Sequence, residues 1–337
     1  MSLQKFTYPS AFKLESGKSL PGLEITYHTF GTINQQKNNV IWVCHALTAN
    51  SDVLDWWPGL FGEKALFNPN EHFIICANIL SSAYGTTNPL SINPKTDESY
   101  FLSFPEVTIR DIVKAHQLLA NQLNIDKIEV LIGGSLGGQQ ALEWAISEPE
   151  RMNQLIVLAT NAAHSPWGIA FNESQRLCIA ADPTFYKSRL HGGNLGLKAA
   201  RSLALLSYRN YQTYGATQSE TDVQKKDTFK AASYQNYQGQ KLVNRFNAYS
   251  YWYLTKVMDS HNVARNRISI ENALGRIKAH TLIVAITSDI LFPPNEQKLL
   301  SRHIEGSVFA EVQSLFGHDG FLIETETLSK IIKTFLQ

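Results

Sequence analysis

The feature that most limits what this chain can fold into is the run Gly133-Gly134-Ser135-Leu136-Gly137-Gly138. An apolar segment, Ile128 to Ile132, leads into it, and a segment of helical character, Leu136 to Glu148, leads out. Strand, glycine-flanked serine and helix in that order predict a sharp strand-to-helix turn that lifts the serine oxygen into the open. Such a turn strains the serine backbone, and side chains two positions to either side would collide with adjacent strands. Glycine at 133 and 137 removes them. The helix N-terminus then lies beneath the serine oxygen and stabilises negative charge there. Ser135 is therefore the candidate nucleophile.

The rest of the chain supplies the sheet that such a turn needs. Leu23 to Phe30 reads as an early strand, and Asn39 to Cys44, Phe73 to Asn78 and Leu155 to Ala159 as further ones; the short apolar runs among them mark strands covered on both faces. Val107 to Leu123 carries apolar residues at helical spacing. Strands alternating with helices predict an α/β fold, a mostly parallel sheet with right-handed crossovers and helices on both faces.

From about residue 161 to 275 the alternation stops, and helices are expected instead, most clearly over Asn194 to Tyr208 and Arg245 to Met258. Nine of the thirteen tyrosines fall there, a density that points to a pocket roof, a subunit interface or plain packing onto the core. The sheet pattern resumes at Thr281 to Ile286, with a helix from Pro293 to His303, a strand from Val308 to Gln313 and a terminal helix from Phe321 to Leu336. The expected organisation is a core domain of residues 1–160 and 276–337, interrupted by a helical cap over 161–275.

Composition narrows the setting. At 337 residues, 44% hydrophobic and 18% charged, the chain can bury a large core. A formal net charge of +1 gives no electrostatic grip on nucleic acid or on a membrane surface. Met1 to Ser10 shows no signal peptide, and no segment approaches the roughly 20 apolar residues of a membrane span. Cys44, Cys76 and Cys178 lack metal-ligand spacing, so no metal is expected and a cytoplasmic location is.

A serine hydroxyl attacks only when a base takes its proton and a carboxylate orients that base. In an open parallel sheet such groups gather beyond the carboxyl ends of the strands. Asp289, just after the strand ending at Ile286, and His318, after the last strand, fit those places. The order Ser, Asp, His is that of α/β hydrolases. His261, His280 and His303 compete by sequence proximity, but His280 precedes a strand and His303 falls within a helix. An oxyanion hole needs two backbone N–H groups, expected from Leu136 and from Leu47 in the loop after Cys44.

With these parts placed, the chain resembles the homoserine O-acyltransferases of α/β-hydrolase type, and among them the homoserine O-acetyltransferases. The resemblance runs nearly end to end, through His45-Ala46-Leu47-Thr48, Trp56-Trp57-Pro58-Gly59-Leu60, Ser91-Ile92-Asn93-Pro94 and Val107-Thr108-Ile109-Arg110-Asp111. It continues through Gly133-Gly134-Ser135, Ile169-Ala170-Phe171-Asn172-Glu173, Tyr237-Gln238-Gly239, Arg245-Phe246, Ser288-Asp289 and Gly317-His318-Asp319-Gly320. It implies acetyl transfer from acetyl-CoA to the hydroxyl of L-homoserine through an acyl-Ser135, a step of methionine biosynthesis, with no cofactor beyond that donor. It also implies Arg201 as partner of the substrate carboxylate and Asp319 as partner of its ammonium; a helix cap is the plainer role for Asp319. One stretch departs from the family: Ser81-Ser82-Ala83 precedes Tyr84 where a Gly-Gly-Cys is usual. That leaves succinyl-CoA as donor and serine as acceptor open, and an esterase or thioesterase as the hydrolytic variant. The tyrosine-rich cap and the resemblance together favour a homodimer.

Overall fold

The computed structural model describes residues 2–337. Eight strands form one sheet: β1 (Gln4–Tyr8), β2 (Leu23–Phe30), β3 (Val40–Cys44), β4 (Phe73–Ala77), β5 (Ile128–Gly134), β6 (Met152–Leu158), β7 (His280–Ile286) and β8 (Val308–Val312). Their spatial order is β1-β2-β4-β3-β5-β6-β7-β8. The six from β4 to β8 run parallel, while β1 pairs with β2 and β2 with β4 antiparallel.

The period of two within the strands sorts side chains into two apolar layers. Val40, Trp42 and Cys44 of β3 enter one layer, Ile41 and Val43 the other. Helices α1 (Ile109–Gln122) and α2 (Leu136–Ser147) cover the first, where Trp144 meets Trp42 edge-on at 5.0 Å. Helix α9 (Thr325–Phe335) covers the second with Leu328, Ile332 and Phe335. Thr108 starts α1 through a capping box with Asp111, one use of the Thr108-Ile109-Arg110-Asp111 block. Arg110 beside it bridges Glu15 at 2.9 Å and Glu143 at 3.1 Å.

Between β6 and β7 the chain makes α3 (Pro166–Ala180), α4 (Asn194–Tyr208), α5 (Tyr211–Gln218), α6 (Lys230–Val243) and α7 (Ala248–Asp259). Asp259 ties α7 to α3, accepting from Asn172 at 2.8 Å and pairing with Arg176 at 2.5 Å. Tyr253 reaches the core, its hydroxyl donating to the Leu102 carbonyl at 2.9 Å. The tyrosines divide between uses, with Tyr249 and Tyr251 fully buried and Tyr211 92% exposed.

Three elements differ from the sequence expectation. Strand β1 was not anticipated, because an edge strand with one wet face, Gln-Lys-Phe-Thr-Tyr, carries little apolar signal. The helix expected from Arg245 starts only at Ala248, since the Asn247 side chain caps it by accepting from Ser250 N at 2.8 Å. Arg245 is thereby released into the link after α6. The terminal helix breaks at Glu324 into Gly320–Ile323 and α9.

Candidate active site

Ser135 sits between β5 and α2 at φ 57° and ψ −126°, a conformation rarely open to a residue with a side chain. The surrounding chain over-determines it. Ser135 N–H donates to the Leu158 carbonyl at 3.0 Å, and the Ser135 carbonyl accepts from Thr160 Oγ1 at 2.8 Å. A Cβ at Gly137 would lie 2.0 Å from the Cys44 carbonyl oxygen of β3, the close approach expected of an adjacent strand. At Gly133 the obstacle differs from expectation: a Cβ would meet the Gly137 carbonyl at 2.3 Å, the turn's own helix.

His318 and Asp289 come together across the ends of β7 and β8. His318 Nδ1 donates to Asp289 Oδ2 at 2.6 Å, both residues being buried. Asp289 Oδ1 accepts from the backbone N–H groups of Leu291 at 2.8 Å and Phe292 at 2.9 Å, which fix the carboxylate plane. Phe292 stacks on the imidazole at 5.0 Å and Phe321 meets it edge-on at 5.3 Å. Burial opposes protonation of His318, but the charge and hydrogen bond of Asp289, with Asp319 adding to them, hold its pKa above the ordinary value. Two of the competing histidines are occupied elsewhere, His261 bonding the Asn161 carbonyl at 3.0 Å and His280 stacking on Phe335 at 4.3 Å, and the third, His303, lies in the last turn of the helix Pro294–His303.

Ser135 and His318 line one cavity of about 480 Å³, together with Leu47, Arg201, Tyr208, Asp319 and Phe321. Ser135 Oγ and His318 Nε2 are not hydrogen-bonded to each other in this state, a contact that commonly tightens only around substrate. Leu136 N–H opens α2 and has no intrahelical acceptor, and Leu47 N–H makes no backbone hydrogen bond. Both are free to face a developing oxyanion.

Arg201 and Asp319 line the same cavity. The Arg201 guanidinium lies over the Tyr208 ring at 5.2 Å. Asp319 stands before the short helix Gly320–Ile323 yet makes no side-chain cap, so capping is not what its carboxylate does here. It pairs instead with Arg209 at 3.1 Å. Burial pushes the Asp319 carboxyl up, while Arg209 and Arg201 pull it down. Arg209 was missed in the sequence. Its signal was spacing alone, eight residues beyond Arg201 at the end of the same helix.

Glu296 was also missed. It lies in the first turn of α8 (Pro294–His303), accepts from Asn161 Nδ2 at 2.9 Å, and Asn161 in turn accepts from Gln139 of α2 at 3.0 Å. Burial, reinforced by the charge of Asp289 and opposed by hydrogen bonds from Asn161 and Ser165, pushes its carboxyl from 4.5 up to about 7. A folded pKa above the unfolded one means that folding takes up a proton, so stability falls as pH rises between the two values. Glu296→Gln removes the titration. In thermal unfolding from about pH 5 to 8, wild type is expected to lose on the order of 2 kcal/mol relative to the variant. A difference that does not change with pH would refute this.

Comparison with known proteins agrees with this geometry. Residues 39–325 match the family model described as the alpha/beta hydrolase fold. The chain is 46% identical to the homoserine O-acetyltransferase of Cyclobacterium marinum over 335 residues, covering 99% of this chain and 95% of the relative. It is 44% identical to that of Chlorobaculum tepidum, covering 98% and 94%. A solved homoserine O-acetyltransferase from Bacillus anthracis superposes with a TM-score of 0.91, covering 100% of this chain and 97% of the other; at 24% identity that likeness speaks for the fold. The chain belongs to the homoserine O-acetyltransferase family and has the α/β hydrolase fold.

Proposed function

We propose that this chain transfers the acetyl group of acetyl-CoA to the hydroxyl of L-homoserine through an acyl-Ser135, giving O-acetyl-L-homoserine for methionine biosynthesis. The observation that carries the reading is the single cavity in which Ser135 and His318 stand beside Arg201 and Asp319. An esterase needs only the first two. A zwitterionic amino acid needs a cation for its carboxylate and an anion for its ammonium once both leave water.

The chemistry follows from the parts. His318 Nε2 takes the Ser135 proton as Oγ attacks the thioester carbonyl, and the Leu47 and Leu136 N–H groups stabilise the oxyanion. The C–S bond breaks, the proton passes from His318 to the thiolate, and CoA leaves. Homoserine then enters with its carboxylate on Arg201 and its ammonium on Asp319. His318 takes the proton of its hydroxyl, the new C–O bond forms, and the bond to Ser135 Oγ breaks as the proton returns to it. No metal or resident cofactor has a part in this cycle.

Two further readings belong to the proposal. Most exposed large apolar side chains, among them Trp167, Leu177, Leu195, Tyr211 and Tyr237, lie on the cap, which supports a homodimer formed there. The three cysteines are unpaired, in keeping with a reducing cytoplasm.

Initial rates of thiol release over acetyl-CoA, succinyl-CoA, L-homoserine and L-serine test the function. Beyond the single equivalent of an acylation burst, steady release is expected only with acetyl-CoA and only when homoserine is present; equal steady release without an acceptor would make the protein a hydrolase. Arg201→Ala is expected to raise the homoserine KM about ten- to a hundredfold, the loss of one charge-assisted hydrogen bond, while the acylation burst stays intact. An equal fall in acylation would remove Arg201 from the acceptor site.

A further inference from the structure

The same cavity holds more positive charge than an amino-acid acceptor uses. Its buried floor is Ser135, Leu47, His318 and Phe321; its exposed rim includes Lys241, in the last turn of α6, and Arg245, in the link that follows. Among the described residues, neither Lys241 nor Arg245 has a carboxylate within ion-pair distance. Asp55 is the one acidic residue on that rim, and the charge of Asp319 deeper in is matched by Arg209. With a net charge of +1 spread over the whole chain, two unpaired cations at one cavity mouth are a local concentration.

Arg245 is also held in place. Its Nη1 donates to the Thr48 carbonyl and to the Tyr84 hydroxyl, and Tyr84 itself donates to Thr48 at 3.3 Å. That latch joins the cap to the loop bearing Leu47 and leaves Nε and Nη2 without a hydrogen-bond partner among the described residues. A guanidinium pinned by one nitrogen presents its remaining N–H groups as a fork suited to phosphate oxygens, and a lysine beside it adds a movable point charge.

We propose that Lys241 and Arg245 form a phosphate-binding rim, the site that takes the phosphate groups of the acyl donor while its thioester reaches Ser135. This rests on the reading of the donor as a CoA thioester, whose phosphates are the anionic part left over once Arg201 is assigned to the acceptor. Electrostatic capture at the rim raises donor affinity and makes it salt-dependent.

Two measurements test it. The first is the ratio of kcat/KM for acetyl-CoA to that for S-acetyl-N-acetylcysteamine, a thioester without phosphates. Lys241→Ala is expected to lower this ratio about tenfold through the KM of acetyl-CoA, and Lys241→Glu to lower it further. An unchanged ratio, with both donors affected alike or not at all, overturns the proposal. The second is calorimetric titration with adenosine 3′,5′-bisphosphate, which needs no turnover. Binding is expected in wild type, weakened about tenfold by Lys241→Ala and by added salt. Affinity indifferent to the substitution overturns the rim. Intact, Lys241-dependent binding in a protein that fails to release thiol from acetyl-CoA would sustain the rim and overturn the acetyl-transfer reading instead.

Discussion

Ser135→Ala is expected to yield a folded protein whose turnover is lower by at least about 10⁴-fold and which forms no acyl-enzyme. The two halves of that result have separate causes. Activity goes because the hydroxyl placed on the turn beside His318 is the group that carries the acyl. The fold stays because Ser135 Oγ makes no hydrogen bond among the described residues, so its loss strands no buried partner. The bonds that hold the turn, Ser135 N–H to Leu158 and Thr160 Oγ1 to the Ser135 carbonyl, are to the backbone and survive the change. Unfolding stability is expected within about 0.5 kcal/mol of wild type. Ser135→Gly sharpens the test, since glycine adopts φ 57° without strain and is expected to raise stability by about 1 kcal/mol while being equally inactive. Thermal unfolding beside a thiol-release assay reads both. Retention of more than a hundredth of wild-type turnover by Ser135→Ala would remove Ser135 as the nucleophile.

What the sequence made legible here follows a physical division. The turn at Ser135 was readable because its demands are local: a strand, two glycines whose absent Cβ atoms would lie 2.0 and 2.3 Å from backbone oxygens, and a helix. Asp289 and His318 were readable one step further, because strand ends in a parallel sheet collect on one edge and both follow strands closely. The contacts that tune the site were not readable, being made between segments far apart in the chain. Arg245 reaches Tyr84 across 161 residues and Glu296 reaches Asn161 across 135. Nothing in the neighbourhood of either residue announces its partner. The break before Ala248 was missed for a subtler reason. α6 stops at Val243, and only the Asn247 cap, a one-residue signal, sets where the next helix starts. That single break is what delivers Arg245 to the cavity.

The carboxylate behind the base carries the other large effect. Asp289→Asn changes volume little but alters which atom of the imidazole holds the proton. In wild type one oxygen of Asp289 is occupied by the N–H groups of Leu291 and Phe292, so the other accepts from His318 Nδ1 and leaves Nε2 free to take the serine proton. An asparagine satisfies the two backbone donors only with its oxygen, which turns its NH₂ toward His318. Nδ1 must then accept, the proton moves to Nε2, and the imidazole can no longer receive a proton from Ser135. A fall in kcat of about 10⁴-fold is expected, with substrate KM little changed. The pH dependence separates this from simple damage. Burial lowers the His318 pKa and Asp289 raises it; removing the negative charge leaves burial unopposed except by Asp319. Since the neutral imidazole is the base, wild-type kcat/KM rises with pH through the raised His318 pKa, and the residual activity of the variant is expected to show that acid limb at lower pH. The linked stability change has its own sign. A raised His318 pKa stabilises the fold below the unfolded value and that contribution fades as pH climbs through the folded one, so the variant is expected to lose most stability relative to wild type on the acid side. Loss of activity with the acid limb unmoved would mean that Asp289 holds the loop in shape without setting the charge and tautomer of His318.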